Sequence, residues 1–461
     1  MTKGRKNLNT LIKNAHKIIT CTDKGVEIIS GDILIEGNRI KAVGGEIKTP
    51  SDRIIDAKDK VVIPGLVNTH HHLYQTFQRN LPLVQDAELF PWLKTLYQIW
   101  RNIDPEIVYW SALLGMSELL KTGCTTTTDQ FYVFPKGAPQ DLVDAEIEAA
   151  KTVGIRFQPC RGSMSLGESR GGLPPDDVVQ DEETILKDCE RLIAKYHDPS
   201  PYSMLRISLA PCSPFSVSRE LLVLTAQLGR KKDVRLHTHL AETRDEEEYC
   251  LSRLGMRPLE YLESTGWLGP DVWFAHCIYL TEGELRKIKD TGSKVAHCPT
   301  SNMRLGSGVA PVPLMLELGI DVGLAVDGSA SNDSSDMLGE LRSCLLVHKL
   351  THGVQSITAA KVFQMATVGG ARVLGFSEIG AIEPGKAADL VLININQIGY
   401  AGALADPLAA LIYSGDSHIV DTTIVNGEVV VEEGKVARVQ EEEIIRKANE
   451  LSLLMLEKAS R

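Results

Sequence analysis

Hydrophobic and polar positions follow two rhythms along the chain. From Leu11 to Val62, short β-prone runs (KIIT, VEIIS, DILIEG, RIKAVG, KVVIPG) are broken by Gly, Asn, Asp and Lys, which predicts a small antiparallel sheet. The far end repeats that rhythm. AADLVLIN and DTTIVNGEVVVEEGKVARV alternate again, with Asn426-Gly427 as a hairpin signal. Two β-rich ends around a long middle imply one sheet domain built from both termini. In the middle, apolar runs alternate with segments of helical period. We read eight strands there: Val61–Asn68, Cys124–Asp129, Ile155–Pro159, Met204–Ala210, Val234–His239, Val272–His276, Lys294–His297 and Val322–Val326. Helices are predicted between them, among others at Pro105–Thr122, Leu142–Val153, Glu182–Tyr196, Arg219–Leu228 and Thr281–Asp290.

Eightfold strand–helix repetition points to an α/β protein with a (β/α)8 TIM-type barrel, although an open doubly wound sheet shares the pattern. The positions of the polar residues break the tie. A barrel gathers its active site at the C-terminal ends of several strands. His70 and His72 follow strand one, His239 ends strand five, His276 strand six and His297 strand seven, and Asp327 lies just past strand eight. The expected organisation is residues 1–62 and 386–438 as a small β-sandwich domain, 63–385 as the barrel and 439–461 as a C-terminal helix. The segment Leu73 to Asp104 is expected to cap the site. The tail helix is expected to pack through Ile444, Ile445, Ala448, Leu451, Leu454 and Met455.

In PGLVNTHHHLYQ, alternate side chains of an extended strand share a face, so His70 and His72 converge on one ion while His71 points elsewhere. With His239 and Asp327 they form a three-nitrogen, one-oxygen shell. Such donors suit Zn²⁺, with Fe²⁺ or Mn²⁺ as alternatives, and a catalytic ion keeps a further position for a water whose pKa it lowers. His237 faces the same way as His239 and stands as the alternative ligand. Glu242, three residues beyond His239, is placed to carry a proton between water and substrate; its plainer role is to open an acidic helix N-terminus, ETRDEEE. His276 is a candidate to bond the water or the substrate. His297 is read as a pocket or structural residue, and Asp129 as structural. Strand four, in MLRISLAPCSPF, carries no lysine to bridge two ions, so one metal per subunit is expected. Gln75, Gln85 and Arg161 are candidate ring readers, since amide and guanidinium groups pair with ring carbonyls and nitrogens. Trp92 is a candidate wall.

Composition narrows the partners. The 461 residues, 43% hydrophobic and 24% charged, are an ordinary globular composition, and a net charge of −11 argues against binding nucleic acid or an anionic membrane by bulk electrostatics. A small, neutral or cationic substrate fits better. No signal-peptide pattern or membrane-length apolar run is evident, and nine cysteines without CxxC pairs look like free thiols, so a cytoplasmic protein, as a homo-oligomer, is expected.

Taken together, PGLVNTHHH, HTHLAET, FAHC, VAHCPTSNMRLGSG and AVDGSASND resemble the amidohydrolase superfamily in its aminohydrolase branch, and GAIEPGKAADLVLI resembles the return of such chains to their small β domain. NTHHHLYQTFQRNLPLVQDAELFPWL, RGSMSLGESRGGLPPDDVV, SLAPCSPFSVSRELL and CLSRLGMRPLEYLESTGWLGPDVWFAHC are similar to the 8-oxoguanine deaminase group, which overlaps with hydroxydechloroatrazine ethylaminohydrolases. The resemblance implies zinc held by His70, His72, His239 and Asp327, choosing His239 over His237. It implies Glu242 as proton shuttle, His276 orienting the water or polarising the substrate, and Asp327 also accepting a proton. It implies deamination of a heteroaromatic ring, 8-oxoguanine giving urate and ammonia; a hydroxytriazine, isoxanthopterin, guanine or cytosine, or a non-catalytic binding barrel, are the alternatives. One departure stands out: the group carries a His-containing stretch after strand two, where this chain reads TTTTDQFYVFP, with Gln130 and Phe131.

Overall fold

The computed structural model describes residues 8–22, 24–414 and 419–460. The chain opens with β1 (Asn9–Ile19), β2 (Ile28–Glu36), β3 (Arg39–Val43), β4 (Arg53–Asp56) and β5 (Lys60–Pro64). Barrel strands follow: β6 (Leu66–Asn68), β7 (Cys124–Phe131), β8 (Arg156–Ser163), β9 (Ser208–Pro211), β10 (Leu236–Leu240), β11 (Val272–His276), β12 (Lys294–His297) and β13 (Val322–Leu324). The chain returns through β14 (Leu390–Asn394), β15 (Thr422–Val425), β16 (Glu428–Glu432) and β17 (Lys435–Val436).

Two sheets result. The terminal strands form one mixed sheet of nine, β17-β16-β15-β14-β5-β1-β2-β3 with β4 on β1. Its inner face encloses a core of its own, including Ile12, Ile33, Val62, Leu390 and Ile424. The hairpin signal is realised: Asn426 (φ 50°) and Gly427 (φ 82°) link β15 to β16 in the left-handed conformation that a tight two-residue turn needs. The other eight strands run parallel in sequence order. Between β13 and β6, the Thr69 N–H donates to the Leu324 carbonyl (3.1 Å) and the Val326 N–H donates to Asn68 Oδ1 (3.0 Å), bringing the two ends of the barrel together.

The expected first strand, Val61–Asn68, is in fact two. β5 pairs with β14 in the terminal sheet, while Leu66–Asn68 pairs with β7 in the barrel. Gly65 makes the switch; a Cβ there would stand 2.0 Å from Thr125 Oγ1, so only glycine lets the chain pass. The change of sheet therefore falls at Gly65, later than the boundary expected after residue 62. Strand four is shorter than Met204–Ala210, reduced to Ser208–Pro211. The tail helix, Glu441–Ala459, buries Ile444, Ala448, Leu451 and Met455, but Ile445 and Leu454 face solvent. Among the described residues no helix is long and apolar enough to cross a membrane.

Candidate active site

Four barrel strands deliver the cluster. β6 runs into His70 and His72, β10 carries His239, β11 ends at His276, and the chain just past β13 carries Asp327. His276 (φ 71°), Asp327 (φ 65°) and Ala241 (φ 50°) adopt left-handed backbone, strain that turns the side chains at the strand ends into the barrel mouth.

The hydrogen bonds fix which nitrogens face inward. His72 Nδ1 lies 2.9 Å from the Gln130 carbonyl and His239 Nδ1 lies 2.7 Å from the Cys212 carbonyl. A carbonyl only accepts, so each Nδ1 carries the proton and each Nε2 presents a lone pair. His237 donates from Nδ1 to the Trp273 carbonyl (2.9 Å), so its Nε2 accepts from His70 Nδ1 at 2.7 Å. That leaves the His70 Nε2 lone pair, buried and without a hydrogen-bond partner. His237 is thus a buttress stacked on Trp273, with ring centroids 4.4 Å apart, and its bonded Nε2 is not free for an ion.

Three lone pairs therefore converge. His72 Nε2 and His239 Nε2 are 3.3 Å apart, and Asp327 Oδ1 stands 3.3 Å from His70 Nε2 and 3.4 Å from His72 Nε2. Lone pairs this close repel unless a cation lies between them. Burial, with neighbouring imidazoles, holds His70 and His239 well below the usual histidine range, which keeps them in the neutral form a metal needs. Burial alone would raise Asp327, but the imidazoles packed around it, His70 first and then His276 and His72, outweigh burial and hold it well below the usual carboxylate range. This donor set fits a metal ion.

Glu242 is held beside the cluster by its backbone. Glu246 accepts from the N–H groups of Ala241 (2.9 Å) and Glu242 (2.8 Å). Burial, with Asp327 and Glu246 adding and His276 opposing, raises the Glu242 carboxyl to about 7. The acidic run is also a helix start, since Thr243 caps Arg244–Tyr249, the plainer role expected of ETRDEEE. His276 Nε2 faces Glu242 Oε2 at 3.6 Å and Asp327 Oδ2 at 3.9 Å, and its Nδ1 donates to Asn302 Oδ1 at 2.9 Å. Burial would lower His276, but the two carboxylates prevail and raise it. Ser301 Oγ donates to Asp327 Oδ2 at 2.6 Å.

The pocket above the cluster brings in some expected residues and leaves others out. Gln75 lines it, with both amide atoms buried and unpartnered, and Trp92 and Leu93 of the capping segment form a wall. Gln85 does not reach it. That side chain is exposed and donates to the Asn80 carbonyl (3.2 Å), because the short helical turn Pro82–Val84 carries it outward. Arg161 is also elsewhere: buried, it donates to Asp188 (2.7 Å), Gln180 (2.7 Å) and the Gly162 carbonyl (2.5 Å), and stacks 3.7 Å from the Phe134 ring centroid. Its donors are consumed inside the fold. His71 turns away to Ser335 Oγ (3.0 Å), and Asp129 accepts from the Leu73 N–H (2.5 Å), the structural role expected of it. Gln130 donates to the carbonyls of Ala210 (3.2 Å) and Pro211 (3.3 Å), and the next residues bring Tyr132, not Phe131, to the pocket. Sequence reasoning missed Tyr132, Cys212, Phe215, Ser301 and Asn302; the signal available was that each follows the end of a barrel strand.

The profile of the amidohydrolase family matches residues 61–430, from β5 to β16. The chain belongs to the amidohydrolase family. This amidohydrolase is 44% identical to 8-oxoguanine deaminase of Pseudomonas aeruginosa over 93% of its own length and 94% of the relative's. It is 35% identical to hydroxydechloroatrazine ethylaminohydrolase of Pseudomonas sp. strain ADP over 95% of this chain and 94% of that one. The structure of atrazine chlorohydrolase TrzN from Arthrobacter aurescens, complexed with zinc, superposes with a TM-score of 0.92 at 34% identity, covering 96% of this chain and all (100%) of the other.

Proposed function

We propose that this amidohydrolase is a metal-dependent aminohydrolase that removes the amino group of a heteroaromatic ring, with 8-oxoguanine converted to urate and ammonia. The observation that carries the proposal is the set of three inward-facing imidazole lone pairs and the Asp327 carboxylate, with Glu242 and His276 beside them under a pocket walled by Trp92, Leu93 and Phe215. The relative named 8-oxoguanine deaminase supports the choice of ring.

In this account His70, His72, His239 and Asp327 hold one Zn²⁺ per subunit, a borderline ion matched to imidazole and carboxylate donors. When bound, the ion supplies Lewis-acid activation of water. The chain does the rest. Glu242, with its carboxyl near neutrality, takes a proton from the attacking water and delivers it to the ring nitrogen next to C2. His276, fixed by Asn302, orients the water or draws electron density from the ring, and Asp327 receives the second proton, which then passes to the departing amino group so that it leaves as ammonia. As ammonia leaves, the C2 carbonyl of urate forms. Gln75 offers one donor and one acceptor from a single amide, suited to the lactam edge of the ring. The apolar wall packs against the ring face and keeps bulk water out.

A ring panel tests the proposal. Metal-loaded protein is incubated with 8-oxoguanine, guanine, isoxanthopterin, cytosine and a hydroxytriazine while ammonia and ultraviolet absorbance are followed. Urate from 8-oxoguanine, lost on metal stripping and regained on zinc addition, is expected. Ammonia from another ring and none from 8-oxoguanine would select the second reading, an aminohydrolase of a different ring; the similarity to a hydroxydechloroatrazine ethylaminohydrolase favours the triazine among those.

A further inference from the structure

Behind the His70 cluster a second set of buried ligating side chains comes together. β12 ends at His297, and the helix Met337–His352 carries Cys344 and His348 four residues apart, neighbours on one helix face. One ligand atom from each lies within 4.8 Å of the others. All three side chains are buried, His297 at 1% exposure and Cys344 and His348 at 0%. The two imidazoles meet Nε2 to Nε2 at 3.0 Å, while both Nδ1 atoms are buried and lack a hydrogen-bond partner.

Hydrophobic packing does not account for this arrangement. Two neutral rings facing through Nε2 share one hydrogen bond and leave two ring nitrogens buried and unsatisfied, which is unfavourable. Apolar side chains of the same volume would fill the space without that cost. Two imidazoles and a thiol are instead the donors of a thiophilic ion with a filled d shell, Zn²⁺ or Cu⁺. Metal–nitrogen bonds of about 2.0–2.1 Å and metal–sulfur bonds of about 2.3 Å at tetrahedral angles put nitrogen and sulfur donors about 3.6 Å apart, so donors within 4.8 Å of one another reach that geometry by closing at most about 1 Å.

We propose that His297, Cys344 and His348 form a second metal site, structural in role, that takes such a thiophilic ion. On binding, the Cys344 thiol releases its proton to solvent as the sulfur–metal bond forms, and both imidazoles bind neutral. The ion ties β12 to the long helix. β12 leads into the short helix Pro299–Arg304, whose Ser301 and Asn302 bond Asp327 and His276, so the tie stiffens the wall behind the first cluster.

The test counts metal in full-length wild type, Cys344→Ala and His348→Phe after anaerobic loading with Zn²⁺, with Co²⁺ and, separately, with Cu⁺. One more equivalent per chain in wild type than in either variant is expected, in the Zn²⁺ and Co²⁺ arms for a divalent ion or in the Cu⁺ arm alone for a monovalent one. In the divalent case, cobalt-loaded wild type shows a thiolate-to-cobalt charge-transfer band that Cys344→Ala lacks; the donors around His70 are nitrogen and oxygen and give no such band. Because the difference between wild type and variant is read, the result does not depend on how fully the first cluster is loaded. If a variant does not fold, wild type decides, through the thiolate band or a second equivalent of Cu⁺. Equal metal in all three proteins in every arm, or a thiolate band that survives Cys344→Ala, overturns the proposal.

Discussion

Replacing Glu242 by glutamine should stabilise the metal-free protein at alkaline pH while abolishing most of its turnover. The carboxyl is buried, 5% exposed, and held at about 7 against an ordinary value of 4.5. The folded protein therefore binds this proton more tightly than the unfolded chain. That stabilisation is complete below pH 4.5 and is lost as pH rises through 7. At about 1.4 kcal/mol per pH unit, the difference amounts to about 3 kcal/mol above pH 8. For 461 residues unfolding with about 2.1 cal/mol/K each, it corresponds to about 3 °C in Tm. Thermal scans of chelator-stripped wild type and Glu242→Gln at pH 5 and pH 8.5 give the comparison. Wild type should lose stability relative to the variant between the two, by about 3 °C, and the metal-loaded variant should lose about 10²–10⁴ in kcat with its metal content unchanged. Parallel pH dependence in the two proteins would refute the burial argument. A near-normal rate in the variant would refute the shuttle role.

Other substitutions separate the pocket from the scaffold. Gln75→Leu should lower kcat/KM about 10- to 100-fold with metal content intact, since it removes a donor and an acceptor facing the substrate, whereas Gln85→Ala should leave kcat and KM unchanged; steady-state kinetics on both checks the contrast. Arg161→Met breaks a buried ion pair with Asp188 and should cost about 3–5 kcal/mol in denaturant unfolding, with no selective rise in KM. Asp327→Ala should reduce metal content, measured after equilibrium dialysis against zinc, together with activity.

Much of the fold was legible because its signals are local. Apolar runs at regular spacing gave the barrel, and the helices Leu142–Val153 and Glu182–Tyr196 ran as predicted because each presents a clean apolar stripe bounded by a loop. The run from Val61 to Asn68 misled because both halves are buried, and periodicity does not reveal that Gly65 passes the chain from one sheet to another. At the site, the spacing of His70 and His72 and the placing of His239, His276 and Asp327 at strand ends were readable. Arg161 was not, since its partners Asp188 and Gln180 come from a helix and a loop that no local pattern ties to β8. Ser301 and Asn302 were hidden for the same reason: their targets lie on β11 and beyond β13.

The most direct measurement of the central claim is the deamination of 8-oxoguanine in ¹⁸O-labelled water, with product mass and ammonia quantified together. Urate carrying one labelled oxygen at C2 and one ammonia released per urate, dependent on bound metal, is the expected result. Absence of urate and ammonia from the metal-loaded protein, or urate without the label, would contradict that claim.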